Sequence, residues 1–198
     1  MSPDMPTREQ AWQLLAEFNE TERTLKHALA VEAVMRHIAA KMGGDADQWG
    51  LVGLIHDLDF EKFPDQHCTK TAEILTEKNW PEELIRAVVS HGWGICSDTK
   101  PESDMEKVLY AIDELTGLVA ATALVRPSKS LADLKAKSVR KKWKDKSFAA
   151  GVDRDIIANG AEMLGIELSE LITDVIEGMK PVADELGLAG QSADLAGE

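Results

Sequence analysis

Cysteine is scarce in this 198-residue chain: Cys68 and Cys96 are the only two, and they show neither CxxC nor zinc-finger spacing. A disulfide framework and a cysteine-rich zinc module are thereby excluded, and both residues read as reduced thiols. Long apolar runs are missing too. The longest low-charge stretch, Leu115 to Val125, is too short to span a bilayer and is preceded by Asp113 and Glu114. The first ten residues are acidic, contain proline and lack a signal-peptide core, so a cytoplasmic address is expected. Positive charge is the minority sign, 22 Lys and Arg against 35 Asp and Glu, for a net charge of -13. General binding to nucleic acid needs clustered cations and is not expected. The cations are nevertheless concentrated. Arg126 to Lys146 holds nine of them against Asp133 and Asp145, a local +7 that leaves -20 for the remainder. Such a run reads first as a solvated helix face, and second as a phosphate-attracting lip beside a site.

Alternating apolar and polar strands are also absent; nearly every segment repeats at the helical period. Trp12, Leu15, Ala16 and Phe18 define one face of a first helix. A second runs from about Thr24 to the Gly43–Gly44 stop, and a third is capped by Asp45 and ends near Asp57. Leu58 to Asp65 reads as a loop, and His67 lies near the start of a fourth helix. Pro81 opens a fifth that ends near His91. Ser103 and Glu106 form a capping box for a long sixth helix that reaches Val125 before Pro127. Asp153 opens another helix closed at Gly165, one more follows from Leu168, and the tail from Gly187 is expected to fray. The expected fold is an all-α, single-domain helical bundle with additional C-terminal helices. Its expected parts are an N-terminal helix (1–23), a core (24–126), and a basic segment with C-terminal helices (127–198) in the same globular unit.

Five histidines occur, and their placement is informative. His56 and Asp57 are adjacent at the end of the apolar run Leu51, Val52, Leu54, Ile55. His27 lies within the second apolar helix, His67 and His91 lie at helix ends, and Asp113 is flanked by Leu109, Tyr110, Ile112 and Leu115. Burying such a carboxylate without a cation or several donors is costly. His37, ten residues after His27, points about 80° away from that face and reads as a surface residue.

The order His27, His56–Asp57, Asp113 resembles the HD superfamily of metal-dependent phosphohydrolases, over about Leu25 to Val125. The resemblance implies that these four residues bind one divalent ion. It implies further that His67 and His91 hold a second, with Asp57 bridging the two at roughly 3.5 to 4 Å apart. Imidazole and carboxylate together suit Mn, Fe, Co, Ni or Zn. Where many members follow the His–Asp pair with Ile-Gly-Lys, this chain has Leu58, Asp59, Phe60, Glu61 and Lys62. Lys62 therefore stands in for the loop lysine if the loop folds back, and Asp59 or Glu61 for a proton donor or a support of a ligating His. Trp93, two residues after His91 between Gly92 and Gly94, reads as a pocket wall, whereas the other tryptophans read as packing residues. Arg126 and Lys129 are the expected phosphate contacts, on condition that the chain after Pro127 folds back over the site mouth. Cys68 reads as a packed thiol, because its chain neighbour His67 should point elsewhere.

The leading expectation is a hydrolase of small phosphorylated substrates, a nucleotide or a phosphomonoester. An HD-domain diiron oxygenase and a noncatalytic metal-stabilised binding domain are the alternatives. No membrane partner is expected, and self-association into a homo-oligomer stays open.

Overall fold

Side-chain caps start half of the ten described α-helices, and left-handed residues end several. The structure, a computed structural model, describes residues 5–190. Thr7 and Gln10 cap α1 (Arg8–Phe18) reciprocally, and Thr21 caps α2 (Glu22–Met42), which ends at Gly43 with φ +76°. The Asp45 carboxylate accepts from the backbone N–H of Asp47 and Gln48 to open α3 (Ala46–Ile55). Two short helices follow, α4 (Thr69–Glu77) and α5 (Glu82–Ser90). The Ser103–Glu106 capping box opens α6 (Asp104–Leu124). After it come α7 (Ala136–Trp143), α8 (Arg154–Leu164, capped by Asp153 and closed at Gly165), α9 (Leu168–Met179) and α10 (Ala183–Leu186). Among the described residues the only β pairing is two isolated bridges, Trp93 with Ser97 and Ser130 with Ala189, so the fold is all-α.

The α2 helix is the spine, with α3, α6, α9 and α10 packed against it. Glycine sets the closest approach. A methyl at Gly53 would stand 3.0 Å from the Val31 carbonyl oxygen and 2.9 Å from the Met35 side chain, so α3 lies on α2 only because that Cβ is missing. Gly160 does the same where α8 crosses α6, its missing Cβ falling 2.5 Å from Ala111 Cβ. Val31, Val34, Met35, Leu54, Leu109, Ile112, Ile172 and Val175 fill the core between these helices.

Two local expectations are corrected and one is met. Ala11 and Leu14 join Leu15 on the buried face of α1, while Ala16 is exposed, because the stripe of α1 that meets α3 runs one position earlier. The stretch Ala136–Trp143 of the basic segment forms α7, with Val139 buried and Lys137, Arg140 and Lys141 exposed, as the solvated-face reading has it. Gly187 to Gly190 is tied down: Leu131 N–H donates to the Leu188 carbonyl, Ser130 Oγ donates to Ala189, and Leu188 is buried. Residues 191–198, the rest of the expected frayed tail, lie outside the described residues.

Candidate metal centre

Five chain segments deliver six side chains to one place. His27 comes from the second turn of α2, His56 from the end of α3 with Asp57 just past it, His67 from the turn before α4, His91 from the end of α5, and Asp113 from the middle of α6. His27 Nε2 lies 3.2 Å from His56 Nε2, 2.9 Å from Asp113 Oδ1 and 3.8 Å from Asp57 Oδ2. His56 Nε2 lies 3.5 Å from Asp57 Oδ2 and 3.3 Å from Asp113 Oδ1. The other oxygen, Asp57 Oδ1, is 3.5 Å from His67 Nε2 and 3.6 Å from His91 Nε2, and those two nitrogens are 3.2 Å apart. Donors about 2.1 Å from a shared ion and at right angles to each other stand about 3 Å apart. The donor spacings around the two Asp57 oxygens are of this order, so two ions would fit with Asp57 facing both.

The remaining ring nitrogens decide what the cluster can hold. His56 Nδ1–H donates to the Gly53 carbonyl at 2.8 Å, and His91 Nδ1–H donates to the Val88 carbonyl at 2.5 Å. His67 Nδ1 faces Asp59 Oδ1 at 2.6 Å. Thr116 Oγ1 donates to the Asp113 carbonyl at 2.7 Å, which leaves its lone pairs toward His27 Nδ1 at 3.4 Å. Carbonyl and carboxylate oxygens only accept, so the Nδ1 side carries the proton and each Nε2 presents a lone pair. Lone pairs facing one another at 3.2 Å, twice over, repel unless a proton or a metal ion lies between them. The donor set fits divalent metal at both positions, and among the described residues His27–His56–Asp57 and His67–Cys68–His91 are the groups close enough to hold an ion.

Charge coupling runs the same way. Burial disfavours ionised Asp57 and Asp113, but the adjacent imidazoles, His56 foremost, hold both carboxyls well below the usual carboxylate range. Burial likewise disfavours protonated His27, His56, His67 and His91, and the carboxylates around them raise all four above the ordinary imidazole value. The centre is closed behind and open in front. The side chains of His56 and His91 are 0% and 3% exposed, whereas those of His27, Asp113 and His67 are 25%, 20% and 19% exposed.

The other sequence candidates divide. Asp59 is fully buried behind His67, its Oδ2 accepting from Thr71 N–H at 2.8 Å. Glu61 turns away from the cluster, accepts from the Thr21 hydroxyl and from the N–H groups of Glu20 and Thr21, and is pulled down to about 2 against burial by these bonds. Lys62 donates to the Glu17 carbonyl and covers the Phe18 ring. Glu61 and Lys62 thus fasten the loop to α1 and the start of α2. Trp93 stands 5.7 Å from Tyr110, one turn before Asp113 on α6, with Lys100 over its face. Arg126 spans both oxygens of Asp133, at 3.1 and 2.7 Å, so its fork is already engaged. Lys129 is exposed, and the chain after it pairs with residues 188–189. The fold-back after Pro127 is therefore toward the C-terminal segment. His37 is half-buried against α9, where it meets Gly178. Cys68 departs from expectation: with φ +67° it turns its Sγ back toward His67 and His91, within 4.8 Å of their ring nitrogens.

Sequence reasoning missed Thr116, whose i+3 spacing from Asp113 was the available signal. It also missed Glu114, which burial and then the Asp113 charge push up to about 7. Residues 24–118 match the family described as HD domain. No curated protein and no solved structure matches the chain.

Proposed function

Because the chain belongs to the HD-domain superfamily through residues 24–118, we propose that it is a metal-dependent phosphohydrolase acting on a small phosphorylated substrate, a nucleotide or a phosphomonoester. The observation that carries this reading is the one-sided exposure of the cluster. A structural ion is closed off by its ligands, whereas here His27, Asp113 and His67 leave a face open to an incoming group. His27, His56, Asp57 and Asp113 would hold one divalent ion, and His67, His91 and Asp57 would hold another. Mixed nitrogen and oxygen donors favour Mn, Fe, Co, Ni or Zn. When bound, such ions supply Lewis acidity toward a phosphoryl oxygen and lower the pKa of a water ligand.

The protein's own groups supply orientation and charge. Asp59 fixes the His67 ring through Nδ1, and the Gly53 and Val88 carbonyls do the same for His56 and His91. We assign anion attraction to the basic segment, because the loop that follows it approaches α6 one turn past Asp113. There Val152 lies 3.9 Å from the position of a Gly117 Cβ, one turn along α6, and Arg154 gathers the carbonyls of Trp143, Asp145, Phe148 and Val152. Lys144 and Lys146 ride on that gathered loop, and Lys129 adds exposed charge, whereas Arg126 braces its own turn through Asp133.

Metal analysis of purified protein, combined with a phosphate-release screen over nucleotides, sugar phosphates and cyclic dinucleotides, tests the reading. Metal-dependent release that disappears in Asp57→Asn is expected. Oxygen consumption by the iron-loaded protein without phosphate release would replace hydrolysis with oxygenase chemistry. A full metal complement with neither reaction would leave a binding domain.

A further inference from the structure

The cysteines, 28 positions apart in sequence, meet: Cys68 Sγ and Cys96 Sγ are separated by 2.8 Å, well inside the contact distance of two unbonded sulfurs. Backbone holds both of them there. Cys68 sits at φ +67° immediately before α4, and its carbonyl accepts the helix's N–H from Ala72 at 3.0 Å. Cys96 belongs to a tight turn in which the N–H groups of Ile95, Cys96 and Ser97 all donate to the Gly92 carbonyl at 3.0 Å. Gly92 makes room for the pair, since a Cβ there would stand 2.3 Å from Cys96 Sγ and 2.5 Å from Cys68 Sγ.

We propose that Cys68 and Cys96 form a reversible intramolecular disulfide beside the second metal position, a redox modification site on the protein. The location follows from the chain. Cys68 directly succeeds His67, and the turn carrying Cys96 begins right after His91, so the bond would join the two segments that present the second pair of imidazoles. Cys96 is partly accessible and Cys68 is 1% exposed, which makes Cys96 the thiol that meets an outside oxidant. The oxidant class is a low-molecular-weight disulfide. The Cys96 sulfur attacks one sulfur of that disulfide, its S–S bond breaks, and one thiol leaves with the Cys96 proton. Cys68 then attacks the Cys96 sulfur of the mixed disulfide, forming the internal bond and releasing the second thiol with the Cys68 proton. Two protein thiols are oxidised and one external disulfide is reduced.

The test treats the protein as purified with glutathione disulfide, then counts free thiols and measures intact mass without reductant. The wild type should fall from two thiols to none, become lighter by two hydrogens, and yield a peptide joining residues 68 and 96, all reversed by dithiothreitol. Cys68→Ser, lacking the resolving thiol, should stop at a glutathione adduct on Cys96. Wild-type protein that keeps both thiols, holds a stable glutathione adduct, or cross-links only between chains overturns the proposal. These readouts do not depend on phosphate release, so they succeed or fail separately from the hydrolase reading.

Discussion

Asp57 is the one side chain with an oxygen in each half of the cluster, Oδ2 toward His27 and His56 and Oδ1 toward His67 and His91. Replacing it should therefore cost more metal than replacing any imidazole. Elemental analysis of Asp57→Asn should show both ions lost or weakened, whereas His91→Ala should lose the second alone. Equal stoichiometry in the two variants would refute the bridging geometry. Asp59 acts one step further out, holding His67 at Nδ1 while never facing the open side. Asp59→Asn should weaken metal binding about 10 to 100-fold, as loss of an outer support does, with the second ion affected first. Of the six candidate ligands, His27, His56, Asp57 and Asp113 stand out in sequence as metal-competent residues on or beside apolar helix faces, whereas their grouping into one set, and the addition of His67 and His91, came with the resemblance to the HD superfamily. Asp59, Glu61 and Lys62 were not separable by that logic. They share one loop, and only the loop's path shows that Asp59 turns inward while Glu61 holds the Thr21 cap of α2 and Lys62 reaches α1.

At the scale of elements, helix starts were readable from their chemistry. Ser103 with Glu106, Asp45 and Asp153 accept backbone N–H groups as their positions imply, and Gly43 and Gly165 end helices in the left-handed region. The pairing of elements was less legible, because Gly53 and Gly160 look like helix weakeners until a neighbouring helix is seen lying on each. Gly53→Val should push α3 off α2 at the Val31 carbonyl. A loss of about 1 to 3 kcal/mol is expected from overpacking, and metal affinity should fall with it because the Gly53 carbonyl orients His56. Denaturant unfolding together with metal titration reads both effects. Unchanged stability would mean that the crossing relaxes freely. The same reasoning limits the basic segment: Arg126 follows Asp113 by 13 residues, about 20 Å of helix, and sequence alone does not reveal that Asp133 takes its guanidinium. Lys144→Ala with Lys146→Ala should raise KM for a phosphorylated substrate with metal content unchanged, and Arg126→Ala should act on stability instead.

Across the whole molecule, an acidic chain of net charge -13 gathers four histidines around two carboxylates, so protons and metal ions compete for the same lone pairs. In chelated protein the folded pKa values of His27, His56, His67 and His91 are raised by Asp57, Asp59 and Asp113. The folded state then binds more protons than the unfolded chain above the ordinary imidazole value of about 6.5, and stability falls as pH rises through that window. Asp57 and Asp113 act oppositely: their lowered pKa values stabilise the fold above about 4, and that contribution fades as pH falls toward their folded values. Metal restores what alkaline pH removes, and an ion at about 100 times its Kd adds about 2.7 kcal/mol. Thermal unfolding of chelated and metal-loaded protein from about pH 5.5 to 9 should therefore give two curves that nearly coincide in mild acid and separate as pH rises. A gap that stays constant across this range would mean that protons leave the binding site untouched, and the imidazoles would then not be the ligands.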